Sequence, residues 1–169
     1  KSIKLWLEAE HVAVAPGCRW VVLSGSAGYR YVWAVDRRGA RWHLATKGTP
    51  EGVEVSHGGD LVVIGTANGR IYLVSALGEV LRQMEFGWGV TRAIRFREDD
   101  RYFIANGGGL FDRAGDLRWK RTIWWAPFEA SQDFARFVIV DQAGHGPNVG
   151  QIRLVEANGG LVWYDSLCE

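Results

Sequence analysis

The chain of 169 residues carries 20 basic and 19 acidic side chains, which gives a formal net charge of +1. Its length suits one domain with a buried core, and the balanced charge points to neither a nucleic acid nor a membrane surface as partner. No apolar run approaches the ~18 residues that a membrane-spanning helix requires. Glycine (22) and tryptophan (9) are both abundant.

The predicted elements form four similar copies along the chain. Apolar runs begin at residues 20, 61, 102 and 137 ("WVVL", "LVVI", "YFIA" and "FVIV"), so the intervals are 41, 41 and 35. A strand precedes each run, and two more strands follow it after turns rich in Gly, Asn or Asp. The strands are rich in Val, Ile and aromatic residues. The pattern predicts four-stranded antiparallel units at about 11–46, 53–86, 90–123 and 126–167.

The last strand of each unit carries a tryptophan in three of the four copies. These are Trp42, Trp119 and Trp163, and Leu81 takes the place in the second copy. We predict that the four side chains occupy equivalent positions. The segment "SIKLWLEAE", residues 2–10, reads as one more outer strand ahead of the first unit.

Four-stranded units at ~40-residue spacing are typical of propeller blades. The stretch "DLVVIGTANGRIYLVSALGEVL" resembles a blade of the pyrroloquinoline-quinone-type (PQQ-like) repeat propellers, with WD-repeat propellers as the nearest relatives in shape. No copy has a Gly-His…Trp-Asp signature, which argues against a standard WD repeat. The resemblance implies an all-β propeller of about four blades, either closed by itself or forming half of a larger ring. A β-sandwich or another all-β stack is the alternative.

The quinone-dependent enzymes among these propellers imply a cofactor site with a full ring, acidic and amide calcium ligands and often a vicinal disulfide. This chain has two cysteines, Cys18 and Cys168, which are not adjacent. We therefore expect no cofactor and transfer no cofactor residues from the resemblance. Whether the two cysteines pair is left open by their spacing.

Other motifs for chemistry are lacking in the sequence. The four histidines have no metal-ligand spacing, and there is no P-loop and no Gly-x-Ser-x-Gly elbow. Asp99 and Asp100 are expected in a solvated turn, and the arginines of "TRAIRFREDDR" along a solvated strand edge with local ion pairs. We therefore predict no metal site, no catalytic residue and a protein that is not an enzyme.

One face of the predicted propeller collects aromatic side chains. The loops between the second and third strands emerge on the same face as the connections between blades. The candidate binding residues there are Tyr29, Trp88, Trp124, Trp125 and Phe128, with His145 and Asn148 in the longest insertion, "DQAGHGPNVGQ". Clustered aromatics with polar neighbours suit a protein contact. We expect a binding scaffold, with a fragment of a quinoprotein-type enzyme or a lectin-like sugar binder as alternatives.

The first and last copies are as apolar as the middle ones, as "RWVVLSG" and "RFVIVDQ" show beside "LVVIGT". Both faces of a blade are normally covered by neighbours, so bare outer faces would leave apolar patches in water. We therefore predict a homodimer, or a complementary propeller segment, that closes a ring of about eight blades.

Overall fold

The computed structural model describes residues 9–25, 28–86, 93–105, 109–120, 128–131, 133–142, 150–156 and 160–167. Within these ranges the chain forms sixteen strands and one short 3-10 turn at Pro16–Cys18. Among the same residues, no helical segment has the length and apolarity needed to span a membrane.

The strands form four separate antiparallel sheets of four, each in simple chain order. Sheet 1 contains β1 (Ala9–Val14), β2 (Trp20–Gly25), β3 (Tyr31–Asp36) and β4 (Gly39–Ala45). Sheet 2 contains β5 (Pro50–Val55), β6 (Leu61–Thr66), β7 (Arg70–Ser75) and β8 (Val80–Glu85). Sheet 3 contains β9 (Ile94–Phe96), β10 (Tyr102–Ala105), β11 (Gly109–Asp112) and β12 (Leu117–Lys120). Sheet 4 contains β13 (Phe128–Ala130), β14 (Arg136–Gln142), β15 (Gly150–Glu156) and β16 (Leu161–Leu167).

Burial falls from the inner strands of a sheet to its outer strand. In sheet 2 every residue of β6 is buried, whereas β8 is exposed at every position except the half-buried Met84. A strand that is apolar on both faces must be covered on both, and both faces of β6, "LVVIGT", are covered. β7 is buried at its four central residues, so the fourth strand, β8, is the solvated edge of the sheet.

The first strands of sheets 1, 2 and 3 lie beside one another, because β1 contacts β5 and β5 contacts β9. Sheets 1 and 2 enclose one apolar core, and sheets 2 and 3 enclose another. Between sheets 1 and 2 the core includes Ala13, Val22, Val53, Ile64 and Tyr72. Between sheets 2 and 3 it includes Val63, Leu73, Ile94, Phe103 and Phe111. Sheet 2 is thus covered on both faces, as a propeller blade must be.

A β-bulge interrupts the pairing of the third and fourth strands in all four sheets. The residues that follow the bulge are equivalent in the four sheets, and they are Trp42, Arg82, Trp119 and Trp163, opposite Ala34, Leu73, Leu110 and Leu154. The prediction was right for the three tryptophans and wrong for Leu81. Leu81 is the extra residue of the bulge, so Arg82 takes the equivalent position.

The residue after the bulge reaches the next sheet. Trp42 Nε1 donates a hydrogen bond of 3.1 Å to the carbonyl of Ala76, in the turn between β7 and β8. In the same turn Gly78 has φ +90°, and a Cβ there would lie 2.6 Å from Trp42 Cγ. We call this contact of a post-bulge side chain with the next sheet's glycine turn the clasp.

The clasp repeats between sheets 2 and 3 with different chemistry. Arg82 donates to the carbonyl of Ala114 at 3.1 Å and to Asp116 Oδ1 at 2.6 Å. A Cβ on Gly115 would lie 3.1 Å from Arg82 Cδ. An indole and a guanidinium can fill the same place because both are planar groups that donate from an N–H.

At the start of the chain, Ala9 and Glu10 belong to β1. The rest of the predicted extra strand, residues 1–8, lies outside the described residues, so that strand stays a prediction.

Candidate binding site on the loop face

The end of the sheets where the second strand turns into the third, and where one sheet connects to the next, is called here the loop face. Tyr29 lies there, ahead of β3, and is 54% exposed. Phe128 is the first residue of β13, at the end where the connection from sheet 3 enters. Trp88, Trp124, Trp125, His145 and Asn148 lie outside the described residues, so their grouping on this face stays a prediction.

Between sheets 1 and 2 the loop face is held by hydrogen bonds that join different connections. The carbonyl of Arg30 accepts from the backbone N–H of Thr46 at 2.8 Å and from its hydroxyl at 3.3 Å. The backbone N–H of Ala67 donates to the carbonyl of Thr49 at 2.8 Å. The backbone N–H of Lys47 donates to the buried Tyr72 hydroxyl at 2.7 Å. Backbone groups that are paired in this way fix the loops on the scaffold.

Asn68 locks the two connections together. Its Nδ2 donates to the carbonyl of Lys47 at 2.6 Å, and its Oδ1 accepts from the Thr66 hydroxyl at 2.7 Å. Gly48 approaches so closely that a Cβ there would lie 2.5 Å from Asn68 Oδ1, and its φ is +135°. Glycine is therefore required at position 48 for space as well as for backbone conformation.

These connections line an open depression with basic character. The described residues around it are Arg30, Thr46, Lys47, Gly48, Thr49, Ala67, Asn68 and Arg70. Arg30 and Lys47 are exposed, whereas Arg70 is half-buried and pairs with Glu85 at 2.7 Å. No carboxylate is among the described residues that line it, so the depression suits an anionic or hydrogen-bonding ligand.

The sequence prediction missed this depression. It identified Tyr29 beside it but not Arg30, Lys47 or Arg70, which are single charges far apart in the chain. The useful signal was the repeat itself. Once the strands are assigned, the loop after the second strand and the loop after the fourth strand must emerge side by side.

The opposite end of the sheets, where the first strand turns into the second, carries a second polar cluster. Asp100 accepts from the backbone N–H groups of His57 at 2.8 Å and Gly58 at 2.6 Å, and it contacts His57 Nδ1 at 3.0 Å. Asp100 is buried, so the expectation of a solvated turn was wrong for this residue. It has φ +55°, which directs its side chain toward the turn of the preceding sheet.

The same left-handed position recurs in each of the four sheets. Its residues are Cys18, Gly59, Asp100 and Phe134, with φ between +52° and +73°. The rest of the arginine-rich stretch behaves as expected: Arg97 and Arg101 lie 3.4 Å and 3.8 Å from the carboxylate of Asp99. Arg92 lies outside the described residues.

The hydrogen bonds of the polar cluster around Asp100 are those of residues that stabilise turns. Ser56 Oγ donates to Asp60 Oδ1 at 3.0 Å and accepts from the backbone N–H of Leu61 at 3.1 Å. Burial raises the pKa of the Glu54 carboxyl above its usual value, with the charges of Arg95 and His57 opposing the shift. In the part of the chain described, no group of three or more His, Cys, Asp or Glu side chains is placed to hold a metal ion.

No protein-family model matches the chain, and a search of curated proteins found no relative. Solved structures are similar in fold. One is Kuenenia stuttgartiensis hydrazine synthase, with a TM-score of 0.76, 17% identity, and coverage of 100% of this chain and 52% of that chain. Another is Chaetomium thermophilum Sqt1 bound to the N-terminus of the ribosomal protein L10, with a TM-score of 0.71, 16% identity, and coverage of 90% and 48%.

These similarities confirm the predicted all-β fold, with four-stranded antiparallel sheets as propeller blades. The chain spans about half the length of the solved chains that it matches. At such low identity the likeness is one of fold alone.

Proposed function

We propose that the chain is a non-catalytic propeller scaffold of the PQQ-like or WD-repeat-like kind that binds an acidic protein segment on its loop face. The observation that carries the proposal is the depression between sheets 1 and 2, where Arg30 and Lys47 are exposed on connections fixed by hydrogen bonds. Rigid loops lose little conformational entropy on binding, which favours affinity.

The chemistry of the depression suits an extended peptide that carries carboxylates. Two basic side chains attract and position the carboxylates. Thr46, Thr49 and Asn68 add hydroxyl and amide groups at the same place. The exposed ring of Tyr29 is nearby, and tyrosine is enriched where protein surfaces meet. The likeness in fold to Sqt1 supports the proposal, since Sqt1 in that structure is bound to the N-terminus of the ribosomal protein L10.

The test is binding of a fluorescein-labelled oligoglutamate peptide, measured by anisotropy at low and physiological salt. An oligolysine peptide of the same length is the negative probe. We expect the oligoglutamate to bind, and salt to weaken the binding because the charges are exposed. The double variant R30E/K47E is expected to lower affinity at least about tenfold, since two exposed ion pairs worth up to about 1 kcal/mol each are replaced by repulsions.

The matched control is Arg101→Glu, which reverses an exposed charge at the opposite end of the sheets. It should leave oligoglutamate affinity within about twofold of the wild type, because surface charges that distant are screened. Equal weakening by R101E and R30E/K47E would show that net charge and not the depression attracts the peptide. Selective binding of glycans, lost in Trp124→Ala, would favour the lectin-like alternative instead.

A further inference from the structure

The two end sheets carry unfilled counterparts of the contacts that join sheets 1, 2 and 3. Gly39 follows Asp36, the last residue of β3, by three positions, as Gly78 follows Ser75 and Gly115 follows Asp112; the turn of sheet 1 is one residue shorter than theirs, so Gly39 also pairs with Asp36, and its φ is +135°. A Cβ on Gly39 would meet nothing within 4 Å. At the other end, Trp163 is the post-bulge residue of sheet 4 and is 50% exposed. Among the described residues, no aromatic side chain lies over the Gly39 turn, and no glycine turn lies against Trp163.

The faces around these positions differ in burial from their equivalents. Val12 and Val14 on β1 are 57% and 52% exposed. The strand registers make them equivalent to Val53 and Val55 on β5, which are 8% and 7% exposed because sheet 1 covers them. The face of sheet 1 that points away from sheet 2 is thus built like an interior face.

Sheet 4 shows the complementary difference. Val138 is 38% exposed, whereas its equivalent in sheet 2, Val63, is fully buried against sheet 3. Sheet 1 therefore exposes the face that receives a preceding blade, and sheet 4 exposes the face that receives a following one.

We propose that a second copy of this chain supplies both missing contacts. Trp163 of each copy lies over the Gly39 turn of the other, and the Val138 face of one covers the Val12 and Val14 face of the other. The occupant follows from the repeat. In the described sheets the clasp is always a planar donor over a glycine turn, and the described residues offer Trp163 as an unmatched donor and the Gly39 turn as an unmatched acceptor. Two head-to-tail contacts related by a two-fold axis close a ring of eight sheets, four from each copy.

A second contact at the opposite end of the sheets makes the geometry testable. Asp100 Oδ2 lies 3.3 Å from where a Cβ on Gly58 would be. Cys18 is equivalent to Asp100, because both occupy the left-handed position of the turn between the first and second strands. Asp133 is equivalent to Gly58, because each precedes that position in its own sheet. In the paired ring, Cys18 of one copy therefore faces Asp133 of the other.

The first experiment is sedimentation velocity of the 169-residue chain from about 1 to 100 μM. We expect a reversible dimer of the 18.9 kDa chain. W163A and G39A should each raise the dissociation constant at least about tenfold, because one removes the aromatic contact and the other places a methyl group under it. The controls are L81A, which removes a 54% exposed side chain from β8, and G28A, at a glycine with φ +99° and open space. Circular dichroism confirms that each variant is folded.

The second experiment is oxidation of the D133C/C168S variant, which retains Cys18. We expect a covalent dimer on denaturing gels, whereas V162C/C168S, with its substitution at the 46% exposed Val162, should give little. A dimer as tight in W163A or G39A as in the wild type would overturn the pairing. So would a strict monomer whose D133C/C168S variant forms no disulfide between copies, which would assign the two faces to further blades or to another protein.

Discussion

The clasp between sheets 1 and 2 offers the sharpest test of how the blades hold together. Gly78→Ala adds a methyl group that would lie 2.6 Å from Trp42 Cγ, far inside van der Waals contact. It also forces alanine to adopt a φ near +90°. The backbone strain costs about 1–2 kcal/mol, and forced overpacking costs about 1–3 kcal/mol more. We therefore expect G78A to lower the free energy of unfolding by about 2–5 kcal/mol.

A double-mutant cycle separates the two costs. Trp42→Ala removes the ring, so in that background G78A should cost only the backbone strain of about 1–2 kcal/mol. The coupling energy between the two positions should then be about 1–3 kcal/mol, the size of the overpacking cost. G28A is the matched control, because its φ is +99° and its surroundings are open. It should show strain alone and no coupling to W42A.

The assay is equilibrium urea unfolding followed by circular dichroism, at a fixed protein concentration. Working at one concentration keeps any contribution from self-association equal between variants. If G78A costs the same with and without the Trp42 ring, the clasp does not join the sheets and the reasoning fails. Equal costs for G78A and G28A would point to the same conclusion.

Three further predictions concern residues at or near the end of the sheets opposite the loop face. Asp100→Ala should lower the free energy of unfolding by about 1–3 kcal/mol, because the backbone N–H groups of His57 and Gly58 lose a charged acceptor. Asp99→Ala removes only exposed ion pairs, so it should cost less than about 1 kcal/mol in the same urea titration. Burial raises the pKa of Glu54 above its usual 4.5. The contribution of Glu54 to folding stability is therefore present below pH 4.5 and is lost as the pH rises through the folded pKa. E54Q should remove this decline from a plot of stability against pH. The pKa of Asp112 is lowered, because hydrogen bonds from the backbone of Asp116 and from Arg118 outweigh the opposing effect of burial. The contribution of Asp112 to folding stability is therefore present above about pH 3.8, its usual pKa, and is lost as the pH falls through the folded pKa. D112N should remove this loss of stability in acid.

The strand order could be predicted because each strand is a short apolar run between turn residues and the pattern recurs four times. "LVVI" and "YFIA" lie within β6 and β10 as expected. Sequence reasoning failed at the bulge, where Leu81 looked like the natural counterpart of Trp42. The bulge is common to all four sheets, but the turn before β4 is one residue shorter than the turn before β8, so the residue after the bulge in sheet 2 is Arg82 and not Leu81.

The candidate site was harder to predict for a different physical reason. Arg30 and Lys47 act together because two connections meet in space, and each alone resembles an ordinary solvated charge. Asp100 was misread because its buried position follows from a left-handed backbone conformation, which is uncommon for residues other than glycine. Its neighbour Asp99 is exposed, as a solvated turn predicts.

A crystal structure of the chain in its assembled form tests the clasp-mediated ring most directly. The distance to measure runs from Trp163 Nε1 of one copy to the carbonyl oxygens of residues 37 and 38 in the other. We predict a hydrogen bond of about 3 Å to one of them, with the indole over Gly39, as Trp42 lies over Gly78. A structure in which Trp163 faces solvent, or in which copies associate through surfaces that leave Gly39 open, would contradict it.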